Sequence, residues 1–208
     1  MTVDYPDCIN EKSIHCDCTK SNLKFNNKNV KVRFCLVVEY KSKDLNADAS
    51  ELIVLLKNPS HANKKTSDRT INKVISVFEH DGNISRIIFL NVLPFYLTDS
   101  SQLPEFDNTF KNNNEYEKIL DKNIQKLQGI LISKGTRPNL ICAYGKEIGN
   151  KNNMEKVEDI LKKYPPAKLK KFKPDENVPL HPQRLPINYK DSYQPFNFNN
   201  KEFDTEEF

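Results

Sequence analysis

The segment Leu52-Ile53-Val54-Leu55-Leu56-Lys57-Asn58-Pro59-Ser60-His61 constrains this chain more than any other. A wholly aliphatic run ends abruptly in a polar turn. A short run of this kind, bounded by turn residues, reads as a strand buried on both faces. Pro59 ends it, because proline has no N–H to offer a ladder. Proline also suits the first turn of a helical segment, where a missing N–H costs nothing. Asn58, Ser60 and His61 therefore fall at the carboxyl end of a central strand. Open α/β sheets bind their ligands at that end.

The flanking chain supplies partners for such a strand. The stretch from Val30 to Tyr40 begins with strict alternation and then turns apolar, a strand with one wetter face. Ser67 or Asp68 can cap a helix. Ile71, Val74, Ile75 and Phe78 follow at i, i+3, i+4 and i+7, one helical face, and Asp81-Gly82 closes it. Ile84 to Leu90 is a second buried strand, leading into Asn91-Val92-Leu93-Pro94. A strand–helix–strand unit of this length implies parallel pairing through a right-handed crossover.

Residues 98–112, polar and containing Pro104, read as a long loop. Tyr116, Ile119, Leu120, Ile124, Leu127 and Leu131 mark a helix stopped by Lys134-Gly135. Leu140 to Tyr144 is a third buried strand, ending at Gly145, and Met154, Val157, Ile160, Leu161 and Tyr164 mark a helix ended by Pro165-Pro166. Ala167 to Lys173 is a Lys-rich edge strand, and the prolines from Val178 to Pro186 make a rigid extended loop.

This order predicts a three-layer α/β/α sandwich with a mainly parallel, four- to five-stranded central sheet. It divides the chain into a polar arm over residues 1–29, weakly ordered or a short helix, one α/β domain over 30–188, and a tail over 189–208. No run approaches the roughly 18 apolar residues of a membrane span. The polar, acidic start Met1-Thr2-Val3-Asp4 does not resemble a secretory leader, so a cytoplasmic protein without a membrane partner is expected. The net charge of +4 is too small for a dedicated nucleic-acid coater. The arginines are Arg33, Arg69, Arg86, Arg137 and Arg184, and lysine supplies the rest of the basic charge, which favours diffuse phosphate attraction over bidentate readout.

Cys8, Cys16, Cys18, Cys35 and Cys142 are an odd set for a disulfide framework. Cys8, His15, Cys16 and Cys18 match no common zinc spacing, so free thiols are expected, with no metal and no cofactor. A Gly-rich phosphate loop and a nucleophile elbow are both missing from the sequence.

Parallel strands set their carboxyl ends side by side. One crevice is thus expected to gather Asn58, Ser60, His61, Asn91 and Tyr144, with the loop bearing His181 and Arg184 as a further wall. These residue types suit a planar polar ring. An Asn amide reads an amide-like edge with both donor and acceptor, Tyr offers a stacking face, and His donates to an oxygen gaining charge. Taken singly, each Asn is more often a turn cap, and two of them at parallel strand ends bring the cap and ligand readings level. No carboxylate stands at these strand ends for ordinary acid–base work, Asp68 and Asp99 being the nearest.

Five ordered blocks resemble a bacterial and phage family of unknown function. Leu55-Leu56-Lys57-Asn58-Pro59-Ser60-His61-Ala62-Asn63 is similar to its Leu-Asn-Pro-Ser-Thr-Ala-Asp signature. Ser67-Asp68-Arg69-Thr70-Ile71, Asn91 to Asp99, Ala143-Tyr144-Gly145 and Leu180 to Pro186 resemble its later blocks, over roughly residues 30–188. More distantly, the chain resembles the uracil-DNA glycosylase superfamily. That resemblance implies a glycosylase-like fold in which Asn58 holds a hydrolytic water, Asn91 reads the base, Phe95, Tyr96 or His61 stacks on it, and His181 stabilises the leaving base. Lys57, and Gln183-Arg184 after the His-Pro turn, depart from the glycosylase pattern. The expected function is binding of a nucleobase, nucleotide or DNA, with N-glycosidic hydrolysis as the chemistry such a site would perform. The alternative is a non-catalytic accessory module of a phage or mobile element. The sequence does not set an oligomeric state.

Overall fold

A computed structural model describes residues 2–41, 46, 48–97, 99–132, 138–145, 150–172, 179–182 and 193–195. The aliphatic run is the middle strand of a seven-stranded sheet: β4 (Ser50–Leu56) lies between β6 (Ile84–Asn91) and β7 (Asn139–Ala143), parallel to both. A further strand, β8 (Leu169–Phe172), adds parallel to β7.

Successive side chains of a strand point to opposite faces, and β4 has apolar partners on both. Leu52, Val54 and Leu56 pack with Ile71, Val74, Ile75 and Phe78 of α1 (Arg69–Phe78). Ile53 and Leu55 belong to the opposite core, with α2 (Leu103–Phe110), α3 (Asn114–Leu131) and α4 (Lys151–Lys162). Each such aliphatic side chain contributes about 1.5–3 kcal/mol on burial. Asp68 caps α1 by accepting from the Thr70 and Ile71 N–H groups. It belongs to a short ribbon of β1 (Thr2–Val3) and β5 (Ser67–Asp68).

Four expectations are corrected. The sheet is mixed rather than mainly parallel, and it has seven strands rather than four or five. Beyond β6 lie β3 (Lys28–Glu39) and then β2 (His15–Phe25), both antiparallel, and β9 (Tyr193–Pro195) is antiparallel on β8. A two-residue hairpin admits only antiparallel pairing, so the hairpin adds β3 in the sense opposite to the parallel core and returns β2 in the core's own sense.

The polar arm is neither weakly ordered nor mainly helical, because His15–Phe25 pairs along β3 and Tyr5, Ile9, Ile14 and Leu23 are buried. The polar stretch around Pro104 contains α2, whose Leu103, Phe106 and Phe110 face the core. Proline in a first helical turn forfeits no hydrogen bond, so it did not stop that helix. The Lys-rich β8 is a strand but not the sheet edge, since β9 pairs with it. The expected stop at Lys134-Gly135, Arg184 and most of the tail lie outside the described residues. No helix among the described residues is long and apolar enough to cross a membrane.

Phe25 pairs with Lys28, which leaves Asn26 and Asn27 as the hairpin turn, both left-handed at φ 49° and 60°. Such a turn matches the twist of the strands it joins, and Asn tolerates that conformation. Asn27→Gly is expected to keep the hairpin, and Asn27→Val to cost about 1–2 kcal/mol, read from urea unfolding midpoints.

Candidate functional site

The carboxyl ends of β4 and β6 form a continuous platform. Val92 N–H donates to Leu56 O and Leu93 N–H to Lys57 O, each at 2.9 Å. Leu97 N–H donates to Pro59 O at 3.2 Å. The Asn58 amide nitrogen donates to Leu97 O at 2.7 Å and Pro59 O at 3.1 Å. Two carbonyl acceptors oblige the nitrogen to face them, which leaves Oδ1 as the acceptor end.

The loop after Pro59 is organised around Asp68. One carboxylate oxygen accepts from Ser60 Oγ at 2.8 Å, Ala62 N at 3.0 Å and His61 N at 3.2 Å. The other accepts from Thr70 N at 2.9 Å and Ile71 N at 3.0 Å. Burial alone would raise the Asp68 carboxyl, but these bonds outweigh it and hold the pKa below its ordinary value. A carboxylate so fully occupied is a loop anchor and a poor base.

From below, the loop is held by a guanidinium. Arg33 is 1% exposed. Its Nη1 donates to Ala62 O at 3.0 Å and its Nη2 to Asn91 Oδ1 at 3.3 Å. Burial lowers the Arg33 pKa, opposed by Tyr96 and Asp68 nearby. The Tyr96 hydroxyl donates to Ala62 O at 2.8 Å, and the Arg33 guanidinium carbon lies 5.8 Å from the centre of its ring. Burial raises the Tyr96 pKa in spite of that cation.

Above this platform opens a cavity of about 710 Å³, with Ser60, His61, Asn63, Tyr96, Leu97, Asp99 and Gln102 on the strand-end side. The β2–β3 hairpin forms the facing wall, through Cys18, Lys20, Phe25, Lys28, Asn29 and Lys31 among others. Asp99 is exposed, and its carboxyl is held below the usual range by the Ser101 hydroxyl and N–H. Cys18 Sγ lies 3.6 Å from the Tyr96 hydroxyl. The Cys16 and Cys18 sulfurs are in contact, with α-carbons 5.4 Å apart, a separation that accommodates a disulfide. Among the described residues, no cluster of three or more His, Cys, Asp or Glu side chains could hold a metal ion.

The structure thus brings Ser60, His61 and Tyr96 together in one cavity. Asn58 lies just beneath it as the brace between the two strand ends. Asn91 is fully buried, gripping Arg33 from the last position of β6. Tyr144 is 1% exposed, and burial raises its pKa well above the ordinary value. His181 packs 3.4 Å from where a Cβ on Gly145 would stand, at the carboxyl end of β7. Neither Asn91, Tyr144 nor His181 lines the cavity, and Arg184 lies outside the described residues. The hairpin wall was missed from the sequence. Its signal was alternation, Ser21, Leu23 and Phe25 before Asn26-Asn27, then Val30 and Val32 after it.

Fold and site together define an α/β domain whose mixed sheet carries a cavity at its strand ends, walled by an edge hairpin. The chain belongs to the family described as "Protein of unknown function (DUF1643)", whose model matches residues 33–183. That segment holds Asn58, Asp68, Tyr96 and His181, whereas β2 and the hairpin turn precede it. No curated protein and no solved structure matches the chain.

Proposed function

We propose that this domain binds a nucleobase-bearing ligand, a nucleotide or a nucleic-acid end, in the cavity at the carboxyl ends of β4 and β6. The supporting observation is the make-up of that cavity. Aromatic surface from Tyr96 and Phe25 faces amide groups of Asn29, Asn63 and Gln102 within about 710 Å³. Stacking plus amide pairing is how a planar heterocycle with a polar edge is held. The distant resemblance to uracil-DNA glycosylases points the same way. Titration of nucleosides and nucleotides by calorimetry tests it. Tyr96→Leu is expected to weaken binding by about 1–3 kcal/mol, with Tyr96→Phe close to wild type. No binding across the panel would end this reading.

A second reading, N-glycosidic hydrolysis, draws on Asn58. Its nitrogen is committed to two carbonyls, so its oxygen is the end that would hold a water. His181, at the adjacent strand end, would then serve the leaving base. Release of free base from uracil-containing DNA or nucleosides, lost in Asn58→Ala and His181→Ala with binding retained, would establish this chemistry. Binding without release leaves an accessory binding module.

A further inference from the structure

The antiparallel pairing of β2 with β3 sets Lys20 directly opposite Lys31. Directly opposed residues share a face of the sheet, and like charges there repel. Both lysines line the cavity, together with Lys28 at the start of β3. Among the described residues, none of the three has a carboxylate within ion-pair distance. Among the described residues, Asp99 is the one carboxylate lining the cavity, and it accepts hydrogen bonds from Ser101.

The same face runs on into the interior. Arg33 stands two residues after Lys31 on β3, so the two side chains leave the strand on the same side. Arg33 is buried beneath Tyr96, and its Nε has no hydrogen-bond partner among the described residues. Tyr96 N–H donates to Lys31 O at 2.9 Å, which fixes the ring beside this row of cations. A cross-strand lysine pair costs stability in the empty protein, and a buried cation adds positive potential behind it. An anion between Lys20 and Lys31 would convert both into favourable terms.

We infer that the hairpin wall of the cavity is a phosphate subsite, in which Lys20, Lys31 and Lys28 hold the phosphate ester of a ligand whose base lies toward Tyr96. This rests on reading the cavity as a nucleobase site. It adds that the ligand carries a phosphate, as a mononucleotide or as a strand end. Lys20, Lys28 and Lys31 precede the matched family segment, residues 33–183.

The test compares nucleosides, their 5′-monophosphates, a five-nucleotide single strand and inorganic phosphate, each titrated against the whole chain and Lys20→Glu. Monophosphates are expected to bind at least about 10-fold more tightly than their nucleosides, an advantage that shrinks as salt is raised. Lys20→Glu removes that advantage. It also raises the thermal midpoint of the ligand-free protein, because Glu opposite Lys31 replaces repulsion with attraction. A variant that melts higher yet loses the phosphate advantage cannot have failed by unfolding.

Equal affinity for nucleosides and monophosphates, or an advantage unchanged in Lys20→Glu, would overturn the subsite and leave the nucleobase reading intact. If no nucleoside or nucleotide binds, the nucleobase reading fails. A Lys20-dependent stabilisation by inorganic phosphate would then still uphold the anion site, and its absence would overturn it. A clear preference for the strand over monophosphates assigns the ester to nucleic acid, and the reverse preference assigns it to a free nucleotide.

Discussion

Arg33→Ala is expected to destabilise the protein by about 4 kcal/mol, read from the urea midpoint at unchanged m-value. Three losses combine. The side chain is among the largest fully buried ones, so truncation leaves a cavity. The Ala62 carbonyl loses one of its two side-chain donors and Asn91 Oδ1 loses its guanidinium partner. The 58–68 loop then loses its attachment to β3. Arg33→Lys should recover only part of the loss, because one ammonium on a different stem does not reproduce two spread guanidinium donors. Equal stability of wild type and Arg33→Ala would show that the guanidinium does not hold the loop.

Asp68→Asn is expected to cost about 3 kcal/mol at neutral pH, from lost charge-assisted bonds and a weakened helix cap. An amide nitrogen placed against the N–H and O–H donors of residues 60–62 has nothing to accept from them. The pH dependence carries the sign. The folded-state pKa of Asp68 is depressed, so its contribution is fully present above the ordinary carboxylate value of about 3.9. It is lost as pH falls through the folded-state value. The gap between wild type and Asp68→Asn should therefore be widest at neutral pH and close as pH falls through the depressed folded-state value, in unfolding curves measured from neutral to acid pH. A gap independent of pH would mean that the carboxylate charge contributes nothing. Because Asp68 also holds Ser60 and the His61 backbone, ligand binding should weaken in the same variant.

Much of the fold was legible because burial on one or two faces leaves a periodic trace. Leu52 to Leu56 read as a doubly buried strand, and β4 is the middle strand with a core on each side. The spacing of Ile71, Val74, Ile75 and Phe78 read as a helix capped near Asp68, and the cap is Asp68. The hairpin strand β2 was hidden because an outermost strand needs few apolar residues: Ser21 and Leu23 are buried while Asn22 and Lys24 are exposed. The helix over Leu103–Phe110 was hidden by its proline.

The site was legible in half. Ser60 and His61 follow from the rule that polar residues at parallel strand ends meet, whereas Tyr96 came only from the glycosylase resemblance, as one of three candidate stacking rings. Asn91 and Tyr144 stand at strand ends too, but they are turned into the interior. Which way a terminal residue turns depends on what packs against it, and for Asn91 that is Arg33 from a neighbouring strand.

By itself, then, the sequence determined the central strand, its helical partners and the polar turn that ends it, because each is written in the local spacing of apolar side chains. Only the tertiary structure decided that the turn faces a wall of lysines. Cys18 meets Tyr96 across 78 residues of chain, and Arg33 reaches Ala62 across 29. Those contacts exist because a hairpin added antiparallel to the sheet edge beside β6 and folded over the strand ends. Pairing of that kind is set by the long-range register of whole strands, and no local pattern of residues encodes it.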